Sequence, residues 1–188
     1  MSIVSILRKL EGGDRRSIGR SNEVVAAVLV ERKLFGDLFS GLSVDDPVVR
    51  ARAADAVEKI SVTHPEYLRP YRAQLVGELA HCEQKEVRWH VAQILPRLRW
   101  NAGERQEVYA ILTGYLRDSS SIVKTFAMQG LADLAAQNLE FRPAVLRQLQ
   151  KLTRSGTPAM RARGRKLLAE FSGSTRRLGR GPKGRRVS

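Results

Sequence analysis

The chain has 188 residues, 43% of them hydrophobic, and a net charge of +14 from 33 basic and 19 acidic side chains. That is enough apolar material to bury the core of one domain, and the absence of any run of about 18 apolar residues excludes a membrane-spanning helix. A single cysteine, Cys82, excludes an internal disulfide and fits a reducing compartment; with no signal-peptide pattern at the start, a cytoplasmic location is expected.

In chain order, Ile3, Ile6, Leu7 and Leu10 predict a small amphipathic helix. A basic linker, Gly12-Gly13-Asp14-Arg15-Arg16-Ser17-Ile18-Gly19-Arg20, leads into a helix starting at Ser21 or Asn22 and running through Val24, Val25, Val28 and Leu29. Two readings of the linker stand: free N–H groups at a helix start favour an anion, or the segment is solvated with an ordinary Ser or Asn cap. Four helical stripes follow, on Leu34/Phe35/Leu38/Leu42, Leu68/Tyr71/Leu75/Leu79, Val108/Ile111/Leu112/Leu116 and Val145/Leu146/Leu149/Leu152. Each ends in a short polar turn, at 43–47, 82–85, 118–121 and 155–158, rich in the Ser, Asp and Pro residues that start helices.

After each turn the first buried residue is Val49, Val87, Val123 and Met160, in steps of 38, 36 and 37 residues. A basic residue follows each anchor (Arg50, Arg88, Lys124, Arg161), and apolar positions recur as Val57/Ile60, Leu95/Leu98, Leu131/Leu134 and Leu168/Phe171. A period of this length predicts an all-α fold, a short α-solenoid of about four helical hairpins. Three segments are expected: capping helices with the basic linker over 1–31, four repeats over 32–172, and a basic tail over 173–188 too poor in apolar side chains to order when free.

The segment Asp45-Asp46-Pro47-Val48-Val49-Arg50-Ala51-Arg52-Ala53-Ala54-Asp55-Ala56-Val57 resembles a HEAT repeat: acidic residue and Pro in the turn, Val-Arg, then small residues and a final apolar position. The resemblance covers roughly residues 32–172 and extends to small bacterial HEAT-repeat proteins. The second unit lacks the Pro and the third replaces Arg with Lys. Similar solenoids serve as scaffolds, cargo carriers, bilin lyases and alkylbase DNA glycosylases, so the resemblance implies a stacking mode and leaves the function open.

Chemistry-bearing residues are few. His64, His81 and His90 are scattered, with no Cys or carboxylate at metal-ligand spacing, and no Gly-rich phosphate loop follows a strand. No metal, cofactor or catalytic residue is expected. Arg50 and Arg88 stand five residues beyond Asp45 and Glu83, and Lys124 six beyond Asp118, so each cation can reach an acid in its own or a neighbouring turn; in HEAT-like stacks this pairing is structural. Arg161 has no such acid. At the positions of Ala53/Ala54, Val91/Ala92 and Ala127/Met128 the fourth unit has Gly164/Arg165, so Arg161, Arg163, Arg165 and Lys166 are expected to form the polar face of a terminal cap.

Charge is concentrated there. Residues 154–188 hold eleven basic groups against one acidic, whereas 21–153 hold seventeen against sixteen. The cap with the tail residues Arg176, Arg177, Arg180, Lys183, Arg185 and Arg186 is the candidate polyanion contact. Trp89 and Trp100, read as one helix with Gln93 between them, are expected on the concave face that second helices line in HEAT-like stacks, as recognition residues or as cover for repeat packing. The leading expectation is a non-enzymatic binding module for an acidic partner, either nucleic acid backbone or an acidic protein surface. The alternatives are a protein scaffold or assembly factor, and an alkylbase DNA glycosylase with the tryptophans as its aromatics.

Overall fold

At the first repeat turn the Asp46 carboxylate accepts from the backbone N–H groups of Val48 (2.7 Å) and Val49 (3.4 Å), and Pro47 supplies a fixed φ where no N–H is needed. That cap starts helix α4 (Pro47–Thr63). Ser120 accepts from Val123 at the start of α8 (Ser121–Gln137), and Thr157 accepts from Met160 at the start of α10 (Pro158–Leu178). Asn101 and Glu104 form a reciprocal capping box on α7 (Ala102–Tyr115).

The computed structural model describes residues 3–14 and 17–178, with side chains for 6–14 and 17–172. Among these residues there are ten α-helices and no strand. The others are α1 (Ile3–Arg8), α2 (Ser21–Val30), α3 (Phe35–Ser40), α5 (Arg72–Gln74), α6 (Lys85–Ile94) and α9 (Arg142–Ser155). Helix α4 packs on α6, α6 on α8 and α8 on α10, making one continuous layer. In a second layer α3, α7 and α9 each pack on the helix that follows, with the irregular segment 65–79 in the place between α3 and α7. This is the stack of hairpins that the period predicts. Helix α10 continues to Leu178 and so takes in the first six residues of the tail expected to be unordered over 173–188; the remaining ten, 179–188, lie outside the described residues.

Neighbouring helices approach closely where side chains vanish. A methyl group at Gly130 would run into the Ala92 carbonyl of α6, and one at Gly164 into the Thr153 hydroxyl of α9. Ala53, Ala54, Ala92 and Ala127 are fully buried at the equivalent contacts. Arg165, next to Gly164, is exposed, and no helix follows on that side among the described residues.

Two elements depart from the expected hairpins. The first helix of the second repeat is a 3-10 segment (Pro65–Tyr71), α5 and a π segment (Leu75–Leu79), with Pro70 removing a helical donor. The second helix of that repeat stops at Ile94, and Leu95–Arg97 tighten into a 3-10 turn around Pro96. Trp100 is therefore not on the helix that carries Trp89. It folds back, 7% exposed, to donate its indole N–H to the Leu95 carbonyl (2.7 Å) under the Arg72 guanidinium. The concave-face placement expected for Trp100 is wrong, because Pro96 ends the helix one turn before it.

The N-terminal residues form a reduced hairpin of their own: α1 packs on α3 and α2 on α4, so each extends one layer. The linker between them is held by Arg52 of α4, which is 4% exposed and donates to the carbonyls of Leu10 (2.7 Å), Glu11 (3.1 Å), Asp14 (3.2 Å) and Ser17 (3.1 Å). Gly13 (φ +75°) and Gly19 (φ +51°) let the chain turn around it, and a Cβ on Gly19 would fall 2.6 Å from the guanidinium carbon. The α2 start has no Ser or Asn cap: Ser21 is buried and donates to Asp55, while Arg20 pairs with Glu23 (2.6 Å).

Arg52→Leu is expected to destabilise the chain by about 3 kcal/mol or more, because four carbonyls are deprived of a charged donor in a buried site. Gly130→Ala should cost about 1–3 kcal/mol at the α6–α8 crossing, and Ala53→Asp several kcal/mol for a buried carboxylate. Denaturant midpoints of the three variants check this, and wild-type midpoints would contradict the stacking of the two layers.

Candidate polyanion interface and concave cavity

Helix α9 buries Val145 and Leu149. Arg147, Lys151 and Arg154 recur at i, i+4 and i+7 on the opposite face, and all three are exposed. Past the turn, Arg161, Arg165 and Lys166 of α10 are exposed as well. None of these six side chains makes a hydrogen bond or ion pair with another described residue. The segment charge count brings the three on α10 (Arg161, Arg165, Lys166) into view. It misses the stripe on α9, whose spacing opposite Val145 and Leu149 is the signal that could have found it.

Arg163 does not belong to that outward face. Its guanidinium donates to Gln129 Oε1 (2.7 Å) on α8 and lies 6.0 Å from the Phe126 ring centroid. Gln129 in turn donates to Asp133 Oδ1 (2.8 Å), whose carboxyl is pushed above its usual range by burial. Arg163 turns inward because it lies one position before Gly164, on the side of α10 that faces α8. Arg176 and Arg177 lie on the last turn of α10, where the backbone alone is described, and Arg180, Lys183, Arg185 and Arg186 lie outside the described residues.

The anchor cations earlier in the stack are committed to structure. Arg50 donates to the carbonyls of Val44 (2.7 Å) and Asp45 (3.1 Å) and to Gln84 (2.8 Å) of the next turn. Arg88 donates to the Cys82 carbonyl (2.6 Å) and to Asp118 (2.6 Å), again one turn onward. Asp118, expected beside Lys124, is thus taken by Arg88, and each of the two arginines ties the carbonyls of its own turn to a side chain of the next. Ser121 and Thr157 continue the ladder by a hydroxyl contact of 2.8 Å. Arg161 stands past its end.

A second feature lies on the layer of second helices, a cavity of about 490 Å3. Arg52 and Asp55 of α4, Glu86, Trp89 and His90 of α6, and Phe126 of α8 line it. Trp89 is partly buried against the core, and Gln93, one turn on, donates to the Trp89 carbonyl (3.1 Å), which fixes that turn of helix. Asp55 accepts from Ser21 and from Lys59 (2.6 Å). Glu86 is 6% exposed and its Oε2 has no hydrogen-bond partner; His90 Nδ1 is likewise buried and unpartnered. The repeat pattern singles out no carboxylate beside Trp89, yet Glu86, three residues before it on the same helix, shares its cavity. Among the described residues no three His, Cys, Asp or Glu side chains gather to hold a metal ion, and no helix is long and apolar enough to cross a membrane.

Burial lowers the His90 pKa to about 4, with Lys59 and Arg97 acting in the same direction and Asp55 against it. The folded value lies below the ordinary 6.5 of an unfolded chain, so the unfolded state takes up the proton first. The stabilisation is complete above about pH 6.5 and is lost as pH falls towards 4, on the order of 3 kcal/mol in all. The melting temperature of His90→Phe should therefore fall less than that of the wild type between pH 7 and pH 4.5, and parallel curves would contradict a neutral buried His90.

No family model matches the chain, and no curated protein matches it. Among solved structures, the crystal structure of an engineered protein from the Northeast Structural Genomics Consortium superposes with a TM-score of 0.61. The two are 19% identical, over 91% of this chain and 79% of that one. At that identity the likeness is one of fold.

Proposed function

We propose that the chain is a non-enzymatic, HEAT-like binding module whose C-terminal hairpin and tail hold the phosphate backbone of a nucleic acid. One observation carries the reading: Arg147, Lys151, Arg154, Arg161, Arg165 and Lys166 are exposed on consecutive helices, and among the described residues no acid pairs with any of them. Elsewhere several exposed or half-buried cations are neutralised, as in Arg20–Glu23, Lys59–Asp55, Arg72–Glu104 and Arg97–Glu58, while Arg69, Lys85, Arg99 and Arg117 are exposed without an acid but do not form a stripe along consecutive helices. Unpaired guanidinium and ammonium groups on a rigid surface neutralise phosphates and release their counterions, which makes binding independent of sequence and steep in salt. The tail, with six more basic groups in 173–188, adds to the same end of the chain.

Fluorescence anisotropy with a labelled duplex of about 20 base pairs tests this. Affinity is expected to fall by about two orders of magnitude or more between about 50 and 200 mM salt. The triple variant Lys151→Glu, Arg154→Glu, Arg161→Glu should weaken binding and flatten the log–log salt slope by about 0.9 for each phosphate no longer neutralised, with its melting temperature unchanged. The chain shortened to residue 178 should behave in the same direction. No binding at low salt would overturn the reading. A stoichiometric protein partner that survives nuclease treatment of a pull-down would put the scaffold function in its place.

A further inference from the structure

The two departures from the hairpin pattern in the second repeat meet at one place. The 3-10 segment Pro65–Tyr71 contributes Glu66 and Arg69, Arg72 opens α5, and the chain that Pro96 turns out of α6 contributes Arg97 and Arg99. Together they line a cavity of about 350 Å3, in which four arginines face one carboxylate, that of Glu66. Irregular backbone of this kind in an otherwise regular stack is where function is expected, because the repeat itself has no use for it.

Two of the guanidiniums are held in place. Arg72 pairs with Glu104 and lies 4.7 Å from the Trp100 ring centroid, and Arg97 donates to Glu58 Oε1 (2.5 Å), the Glu58 carbonyl (2.9 Å) and Ser61 Oγ (2.7 Å). The other two, Arg69 and Arg99, are exposed and make no hydrogen bond or ion pair with a described residue. Glu66 is engaged by His64 Nδ1 (3.0 Å). Two cations without a counter-charge therefore stand at a concavity beside two that are fixed, and an anion there relieves the repulsion among them.

The lining selects the anion. A guanidinium presents its donors as a planar fork that matches phosphate oxygens, and a chain of two or three phosphates offers a separate set of oxygens to each arginine, where a carboxylate offers only two in all. Among the described residues no aromatic ring lines the cavity, so nothing in it stacks on a base. The arginines come from two short segments around a hollow, whereas cations that track a strand recur along a helix face, as on α9.

We propose that this cavity binds a short linear oligophosphate, with Arg69 and Arg99 neutralising it between walls fixed by Arg72 and Arg97. The site is separate from the basic hairpin and does not rest on the nucleic-acid reading.

The test titrates the full chain with inorganic triphosphate at constant ionic strength, by calorimetry and by the two tryptophan indole N–H resonances in NMR. Triphosphate should shift the Trp100 signal, whose ring lies beside Arg72, and leave that of Trp89, which lines the concave cavity. The double variant Arg69→Ser, Arg99→Ser removes side chains that hold nothing in the fold; it should keep the wild-type melting temperature and weaken triphosphate by about tenfold for each arginine. No binding by the wild-type chain at millimolar triphosphate, a shift of Trp89 in place of Trp100, or undiminished affinity in the double variant overturns the proposal. Triphosphate should bind the triple charge-reversal variant as it binds the wild type, and its loss there would put the anion on the basic hairpin instead. The salt slope of duplex binding should be the same in the double variant as in the wild type. A slope flattened by about 0.9 for each arginine would assign Arg69 and Arg99 to the strand and overturn a separate site.

Discussion

The Arg52 guanidinium ties three parts of the chain into one surface. It belongs to α4, the first full helix of the inner layer, and its N–H groups reach the carbonyls that follow α1 and those of the linker to α2. Carbonyls just past a helix end carry the negative end of its dipole, so a buried cation is compensated there without any carboxylate. The linker has to curl around that head, which is why three of its residues, Gly12, Gly13 and Gly19, are glycines at positive φ. With the linker fixed, α2 lies on α4 and places Ser21 against Asp55, and Ile18 arrives at the edge of the concave cavity. The end of the solenoid that begins the chain is therefore closed by hydrogen bonds, while the end that finishes it is closed by charge.

Between the two ends, the stack is registered by a ladder of turn-to-turn contacts: Arg50 to Gln84, Arg88 to Asp118, Ser121 to Thr157. Each links a residue in the first turn of one inner helix to the polar loop of the next hairpin. Side-chain bonds of this kind contribute little individually at a surface, yet Asp118 is only 4% exposed at its side chain and Arg88 27%, so this pair is weakly screened by solvent. The burial of small residues at the inner contacts, Ala53, Ala92, Ala127 and Gly130, sets the distance between helices, and the ladder sets their register.

What the sequence discloses follows from what repeats. Stacking demands the same apolar positions in every unit, and these are readable from Val49 to Phe171, as are the turns and the charged Arg165 beside Gly164. Features that occur once stay hidden. Nothing in a side-chain pattern announces that Arg52 binds main-chain carbonyls. The period puts Trp100 on a helix that Pro96 ends, an instance where a local backbone rule overrides the repeat. The α9 stripe of Arg147, Lys151 and Arg154 disappears in a segment count, because its face is visible only when charge is resolved by helical phase. Glu86 escapes notice for a different reason: it reads as an ordinary acid in the first turn of a helix, and only the packing of α4 and α8 around α6 buries it.

The basic hairpin and the concave cavity are not independent surfaces. Arg163 departs from the outward face of α10 and reaches across α8, where its guanidinium lies over Phe126, a wall of the cavity, and bonds to Gln129. Only α8 stands between α6, which supplies the cavity floor, and α10, which supplies the unpaired cations. At usual helix spacings the two are roughly 20 Å apart. Close packing holds that span: at Gly130 the α8 backbone meets the Ala92 carbonyl of α6, and at Gly164 the α10 backbone meets the side chains of Thr153 and Met128. The repeat architecture, which supplies no chemistry of its own, contributes that fixed distance.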